Sequence, residues 1–135
     1  MERADQKYEQ QVLQELERLK RLCVDHPTNN PLLPHSTHIL KYYFCDRAGT
    51  QISPNYEIDS QGTRINSTPL GTNWCWRPHF YQLLARRHTA ADEFTASSQY
   101  RDVTTRQLCR SYVTRLSDNR YLLVDVRQPD YQKAD

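Results

Sequence analysis

Apolar side chains recur along the first two dozen residues at the spacing of one helix face. Tyr8, Val12, Leu16, Leu19 and Cys23 follow at intervals of four, four, three and four, and Leu13 and Leu22 widen the stripe. This pattern predicts an α-helix over residues 2–24. Its polar positions carry Glu2, Asp5, Glu9, Glu15 and Glu17 against Arg3, Lys7, Arg18, Lys20 and Arg21. Such an even mix of sign excludes a basic membrane-binding face. Pro27 disfavours helical geometry at His26 and ends the element. A Pro- and Asn-rich loop over residues 28–34 follows.

Beyond residue 37 the period changes from helical to two. His38–Cys45 is aromatic-rich and reads as a strand, closed by the turn Asp46-Arg47-Ala48-Gly49. Gln51-Ile52-Ser53 begins a second strand, and Pro54 makes it an edge. Residues 57–73 lack periodicity, carry Gly62, Pro69 and Gly71, and read as loop. Pro78 suits the first turn of a short helix over residues 78–87. Phe94–Tyr100 reads as a third strand. Gln107–Leu116 and Tyr121–Arg127 form a hairpin around Ser117-Asp118-Asn119-Arg120. The expectation is an α+β fold: an antiparallel sheet of about five strands with a long N-terminal helix across one face. A helical bundle is excluded, because residues 38–53 and 94–127 alternate with a period of two. The 135 residues suffice for a single domain over 1–135, with the sheet portion at 38–127.

Composition narrows the function classes. Eighteen Lys plus Arg against sixteen Asp plus Glu leaves +2, too balanced to imply a nucleic-acid partner by itself. No apolar run reaches the ~18–20 residues of a membrane span, and nothing after Met1 resembles a signal peptide. An excised ectodomain would look the same. Cys23, Cys45, Cys75 and Cys109 stand far apart without a Cys-x-x-Cys, so zinc-knuckle spacing is absent. They fit buried thiols or disulfides of an exported domain, with Cys75 and Cys109 the expected pair. His35 and His38 sit at a loop-to-strand junction with no third ligand, so no metal is expected. No motif places a base against a thiolate, so catalysis is not expected.

Four segments resemble the Cache (PDC-type) sensor family. Asp46-x-x-Gly49-x-Gln51-x-Ser53-x-Asn55 is similar to the family's strand-turn-strand, and Arg77-Pro78-His79-Phe80 to its Arg-Pro-aromatic-aromatic segment. Ser98-x-Tyr100-x-Asp102-x-x-Thr105 and the closing strand Tyr121–Val126 match in the same order. The resemblance implies a PAS-like sheet domain, the periplasmic sensor portion of an inner-membrane bacterial signalling protein. It further implies fusion to a cyclic-di-GMP enzyme, with the membrane reached through flanking spans only.

On that resemblance Arg77 holds a ligand carboxylate through its planar guanidinium, and Asp102 and Asp125 face it as acidic counterparts. Trp76, His79, Phe80 and Tyr100 supply pocket walls. A carboxylate inside Val124-Asp125-Val126 is costly to bury unpaired, so it requires a cationic or hydrogen-bonded partner. The expected partners are an unidentified small-molecule ligand and a second copy of the chain through the N-terminal helix, with no cofactor and no nucleic acid. Two competing readings stay open: a single-stranded nucleic-acid-binding domain using Arg86-Arg87-His88 and the arginines interleaved with Tyr100, Tyr112 and Tyr121, and a structural ectodomain contacting a periplasmic protein.

Overall fold

The computed structural model describes residues 4–25, 33, 36–74, 94–102 and 105–129. Helix α1 (Ala4–Asp25) precedes seven strands. These are β1 (Ile39–Cys45), β2 (Asn55–Asp59), β3 (Gly62–Asn66), β4 (Thr95–Ala96), β5 (Tyr100–Arg101), β6 (Leu108–Ser117) and β7 (Arg120–Arg127). They form one sheet in the order β3-β2-β1-β7-β6-β4, with β5 also on β6. Every pairing is antiparallel.

The helical stripe read from the sequence packs on this sheet. Val12, Leu16, Leu19 and Cys23 are almost fully buried with Ile39, Tyr42 and Phe44 of β1, Tyr56 and Ile58 of β2, and Leu122, Val124 and Val126 of β7. Tyr42 and Tyr56 stack with ring centres 5.1 Å apart. The Tyr42 hydroxyl accepts the Leu33 amide at 2.9 Å. Burial pushes the Tyr42 phenol up to about 12, with that amide pulling the other way.

Polar contacts fix how the helix lies. Lys20, only 9% exposed, donates from Nζ to Thr114 Oγ1 of β6 at 3.0 Å and sits over the Phe94 ring. The last turn of α1 has no basic residue of its own. Arg120 of β7 supplies one: its guanidinium lies 4.4 Å from the Phe44 ring centre, and Nη1 reaches the Cys23 carbonyl at 3.5 Å. A cation there complements the negative end of the helix dipole. Nearer the start, Glu15 accepts from the Ser36 hydroxyl and from the His38 amide, while His38 Nε2 meets Gln11 Oε1 at 3.1 Å.

Residues 57–73, expected as loop, contain most of the hairpin β2–β3. Tyr56 and Ile58 do alternate, but they face only one side, and of their partners Ile65 and Thr63 only the first is apolar. Gly62, with φ 121°, turns the chain at a position costly for a side chain. Among the described residues the sheet therefore has seven strands where about five were expected. Gln51 forms only an isolated bridge to Cys45, so the strand expected at 51–53 is absent. The strand expected at 94–100 is two short pieces, β4 and β5. The short helix expected at 78–87 lies outside the described residues.

The Asp-x-x-Gly-x-Gln-x-Ser-x-Asn segment is built as a turn. Asp46 Oδ1 accepts the Ala48 and Thr50 amides at 2.9 and 3.0 Å. Gly49 takes φ 90°. The buried Gln51 carboxamide donates to Ser53 O and Asn55 Oδ1 and accepts from Trp74 Nε1. Ser53 Oγ accepts the Phe44 amide at 2.9 Å. Each polar residue of the motif satisfies the β1–β2 connection.

Cys23, Cys45 and Cys109 carry free thiols, so the expected Cys75–Cys109 pair is not formed; Cys75 itself lies outside the described residues. Truncating Leu16, which is fully buried between helix and sheet, should lower unfolding stability by about 2–5 kcal/mol in Leu16→Ala. Urea denaturation followed by circular dichroism measures this. A loss under about 1 kcal/mol would mean that the helix does not cover the core.

Candidate functional site

The sheet face turned away from α1 is divided. At one end Tyr43, Cys45, Val113, Tyr121 and Leu123 bury themselves with Trp74 against them. At the other end the same strands carry polar side chains in lateral register. Lys41 of β1 stands between Glu57 of β2 and Asp125 of β7, and Asp125 stands beside Ser111 of β6. Pleating forces this: Tyr42 and Val124 point to the helix, so their neighbours Lys41 and Asp125 point away.

Asp125 is 6% exposed and fully engaged. Its Oδ1 accepts the Ser111 hydroxyl at 2.7 Å, and its Oδ2 lies 3.5 Å from Lys41 Nζ. Tyr100 OH lies 2.8 Å from Ser111 Oγ. Since the Ser111 proton goes to the carboxylate, Tyr100 is the donor, giving a chain Tyr100→Ser111→Asp125. Ser97 and Ser111 exchange bonds as well: Ser97 Oγ accepts the Ser111 amide and Ser97 donates to Ser111 O.

The row continues toward β3. Glu57 accepts from Arg64 Nη2 and Asn66 Nδ2, each at 3.0 Å. Burial pushes the Glu57 carboxyl up, but the hydrogen bonds from Asn66 and Arg64 and the charges of Arg64 and Lys41 outweigh it and hold the group below its ordinary value. Cys109, beside Asp125, shows the opposite sign. Burial first, then the Asp125 and Asp102 carboxylates, push its thiol up to about 11, against the weaker pull of Lys41 and Arg127. A shift in that direction favours the protonated thiol near pH 7.

Of the residues expected in the site, the structure gathers Tyr100, Asp102 and Asp125 around Ser111 and Cys109. Asp102 also shapes its own loop, its Oδ1 accepting the Thr105 amide at 2.9 Å. Trp76, Arg77, His79 and Phe80 lie outside the described residues. The cation found at Asp125 is Lys41, which the sequence reading passed over. Its position two residues before Tyr43 in an alternating strand was the available signal. Ser111 and Glu57 were missed for the same reason.

A second feature is a polar cleft of about 490 Å³ on the helix side, lined by Gln11, Gln14, Glu15, Arg18, Thr37 and His38. His38 and Glu15 there are spent on tying α1 to β1. No cluster of His, Cys, Asp or Glu among the described residues is placed to hold a metal. The arginines of the strands do not form one basic face: Arg120 and Arg110 lie on the helix side, whereas Arg127 is in register with Cys109 on the other.

The described residues thus form a helix laid across an antiparallel sheet, with a polar row on the opposite face. Residues 4–132 match the EAL-domain associated signalling protein domain (YkuI_C), and the chain belongs to that family. It is 29% identical over 87 residues to the uncharacterized EAL-domain containing protein YkuI of Bacillus subtilis, covering 64% of this chain and 21% of that protein. The crystal structure of the Bacillus subtilis YkuI protein, with an EAL domain, in complex with substrate c-di-GMP and calcium, superposes with a TM-score of 0.67 at 20% identity. That match covers 93% of this chain and 35% of the YkuI chain, and shows the fold. This chain thus spans between a fifth and about a third of the lengths of the proteins it matches.

The family match corrects two expectations. The chain is not a Cache domain: the segments that carried the resemblance are, where described, turn and strand chemistry that another family of sheet domains uses as well. The periplasmic placement rested on that resemblance and falls with it, since the relatives are EAL-associated signalling proteins. Among the described residues no helix is long and apolar enough to cross a membrane. The expected link to cyclic-di-GMP signalling stands at the level of the relatives.

Two predictions follow from the row. Lys41→Met and Asp125→Asn should each destabilise by about 1–3 kcal/mol, and the double variant by clearly less than their sum. A urea double-mutant cycle that finds additivity within ~0.5 kcal/mol would show the pair to be uncoupled. Because the folded-state pKa of Glu57 is lowered, its stabilisation is complete above the ordinary value of 4.5 and is lost as pH falls through the lowered one. Glu57→Gln should flatten that acid limb in a pH series of unfolding midpoints. An unchanged limb would place the acid sensitivity elsewhere.

Proposed function

We propose that this chain is the non-catalytic, ligand-sensing domain of an EAL-associated signalling protein. It binds a small polar or carboxylate-bearing molecule on the sheet face away from α1 and alters the activity of the module to which it is joined. The observation that carries this reading is the buried row Tyr100–Ser111–Asp125–Lys41. Filling three adjacent strand positions, Lys41, Asp125 and Ser111, with polar groups costs stability that apolar side chains would supply, and recognition explains the cost. Lys41, about one third exposed, offers an ammonium to a ligand carboxylate, and Asp125 or Tyr100 orients its other end.

Signalling would run by population shift, the ligand favouring one arrangement of the domain. The inner stripe of α1 is occupied by its own sheet, so pairing with a second copy would use the outer face. There Leu13 and Val24, 51% and 56% exposed, lie eleven residues apart and so on nearly the same side of the helix. Burial and the neighbouring Asp125 and Asp102 carboxylates disfavour a Cys109 thiolate, which supports a reading without thiol chemistry.

Thermal-shift screening of the 135-residue chain against amino acids, carboxylates and polyamines tests the reading. A ligand at 100 times its dissociation constant should stabilise by about 2.7 kcal/mol, and the gain should vanish in Lys41→Met. If every class leaves the midpoint unmoved, or if Lys41→Met keeps the gain, the row is a structural device.

A further inference from the structure

Arg110 Nε is the one buried side-chain nitrogen or oxygen among the described residues that has no hydrogen-bond partner. Such atoms are rare because an unpaired buried donor costs about 1–3 kcal/mol. Arg110 sits on β6 in register with Val126 of β7, on the helix side of the sheet, opposite to Lys41 and Asp125. Its surroundings are polar. Tyr8 of α1 accepts at its hydroxyl from Gln128 Nε2 at 3.1 Å, and Gln128 Oε1 accepts from Gln99 Nε2 at 3.1 Å. Tyr112 lies beside Arg110 on the same strand face and is hydrogen-bonded to it.

The charges of Arg110, Glu15 and Arg127 all act on the Tyr8 hydroxyl, although Arg127 is in register with Cys109 on the other face of the sheet. Among the described residues neither arginine forms an ion pair; the three pairs present use His38 with Glu15, Lys41 with Asp125, and Arg64 with Glu57. Glu15 is spent on His38 and Ser36, and Glu9, whose charge is felt at Tyr112, is exposed. One guanidinium group, two phenols and two carboxamides therefore converge, with no carboxylate hydrogen-bonded to the guanidinium.

We infer that this corner, between the first turns of α1 and the β6–β7 ends, is a binding site for a small oxyanion, a phosphate or carboxylate group held by the Nε edge of Arg110. A planar guanidinium edge suits such a group because two parallel N–H bonds match its oxygen spacing. Tyr8 and Gln128 flank the bound group, and Arg127 adds long-range attraction from the rim. The site is independent of the Lys41–Asp125 row, since the two lie on opposite faces of the sheet.

The test uses the ¹⁵N-labelled 135-residue chain and follows the arginine Nε–H cross-peaks in titrations with sodium phosphate and, separately, sodium succinate, at ionic strength held constant with sodium chloride. The Arg110 cross-peak should move and saturate with at least one of the two. Arg110→Gln should weaken that binding about tenfold or more, the loss of one charge-assisted bond, while Arg47→Gln, which removes an exposed arginine in the turn after β1, leaves it intact. Saturation by phosphate alone assigns a phosphorylated ligand, and saturation by succinate assigns a carboxylate. A cross-peak unmoved by both, or equal anion affinity in Arg110→Gln, overturns the assignment. If Arg110→Gln does not fold, the parent titration still decides, because the cross-peak can be assigned through its own side-chain carbons.

Discussion

The burial of one helix stripe against the two central strands holds this domain together. Val12, Leu16, Leu19 and Cys23 press on β1 and β7, the strands that lie in the middle of the sheet order and pair over most of their lengths. An antiparallel sheet with one uncovered apolar face would not persist in water, and a lone helix of this composition would be marginal. Each element is stable only because the other covers it. The polar ties at both ends of the helix, Glu15 to Ser36 and His38, and Arg120 to the Cys23 carbonyl, set its angle across the strands. They choose one docking geometry among those that the apolar stripe alone would accept.

Pleating then determines what the other face can be. Once Tyr42, Val124 and Val126 are committed to the helix, Lys41, Asp125 and Ser111 have no choice but to share the opposite side. There the buried carboxylate is tolerable because each of its oxygens has a partner, one a hydroxyl and one an ammonium. Half of that face is instead apolar, around Tyr43, Val113 and Leu123. The polar half is thus a local departure from a sheet that could have been filled with hydrocarbon. That departure supports a recognition role more than any single residue does.

The motif shared with Cache domains illustrates how a resemblance can be sound in its residues and wrong in its conclusion. Asp46, Gly49, Gln51, Ser53 and Asn55 recur wherever a strand must leave a sheet and return through a compact loop, because aspartate accepts turn amides and glycine takes positive φ. Ser98 to Thr105 similarly contains an aspartate that caps its own loop. Such chemistry identifies a kind of connection. Membership of the EAL-associated signalling family rests on the whole pattern from residue 4 to 132.

What the linear order of residues determined by itself was the identity of the strong elements. The helix over 2–24 against the observed Ala4–Asp25, the strand at 38–45, and the hairpin of β6 and β7 each carry an uninterrupted period, and local periodicity survives folding when one face is buried. The need of Asp125 for a partner was also legible, since a carboxylate inside an apolar run has no other way to be accommodated. Only the tertiary structure decided which partner that is. Lys41 and Ser111 lie 84 and 14 residues away, and lateral register between strands is not encoded in either strand alone. The hairpin of β2 and β3 stayed hidden for the same reason. It is a sheet edge whose solvent side carries arginine, glutamate and asparagine, so cross-strand pairing supplies the order that apolar alternation does not announce.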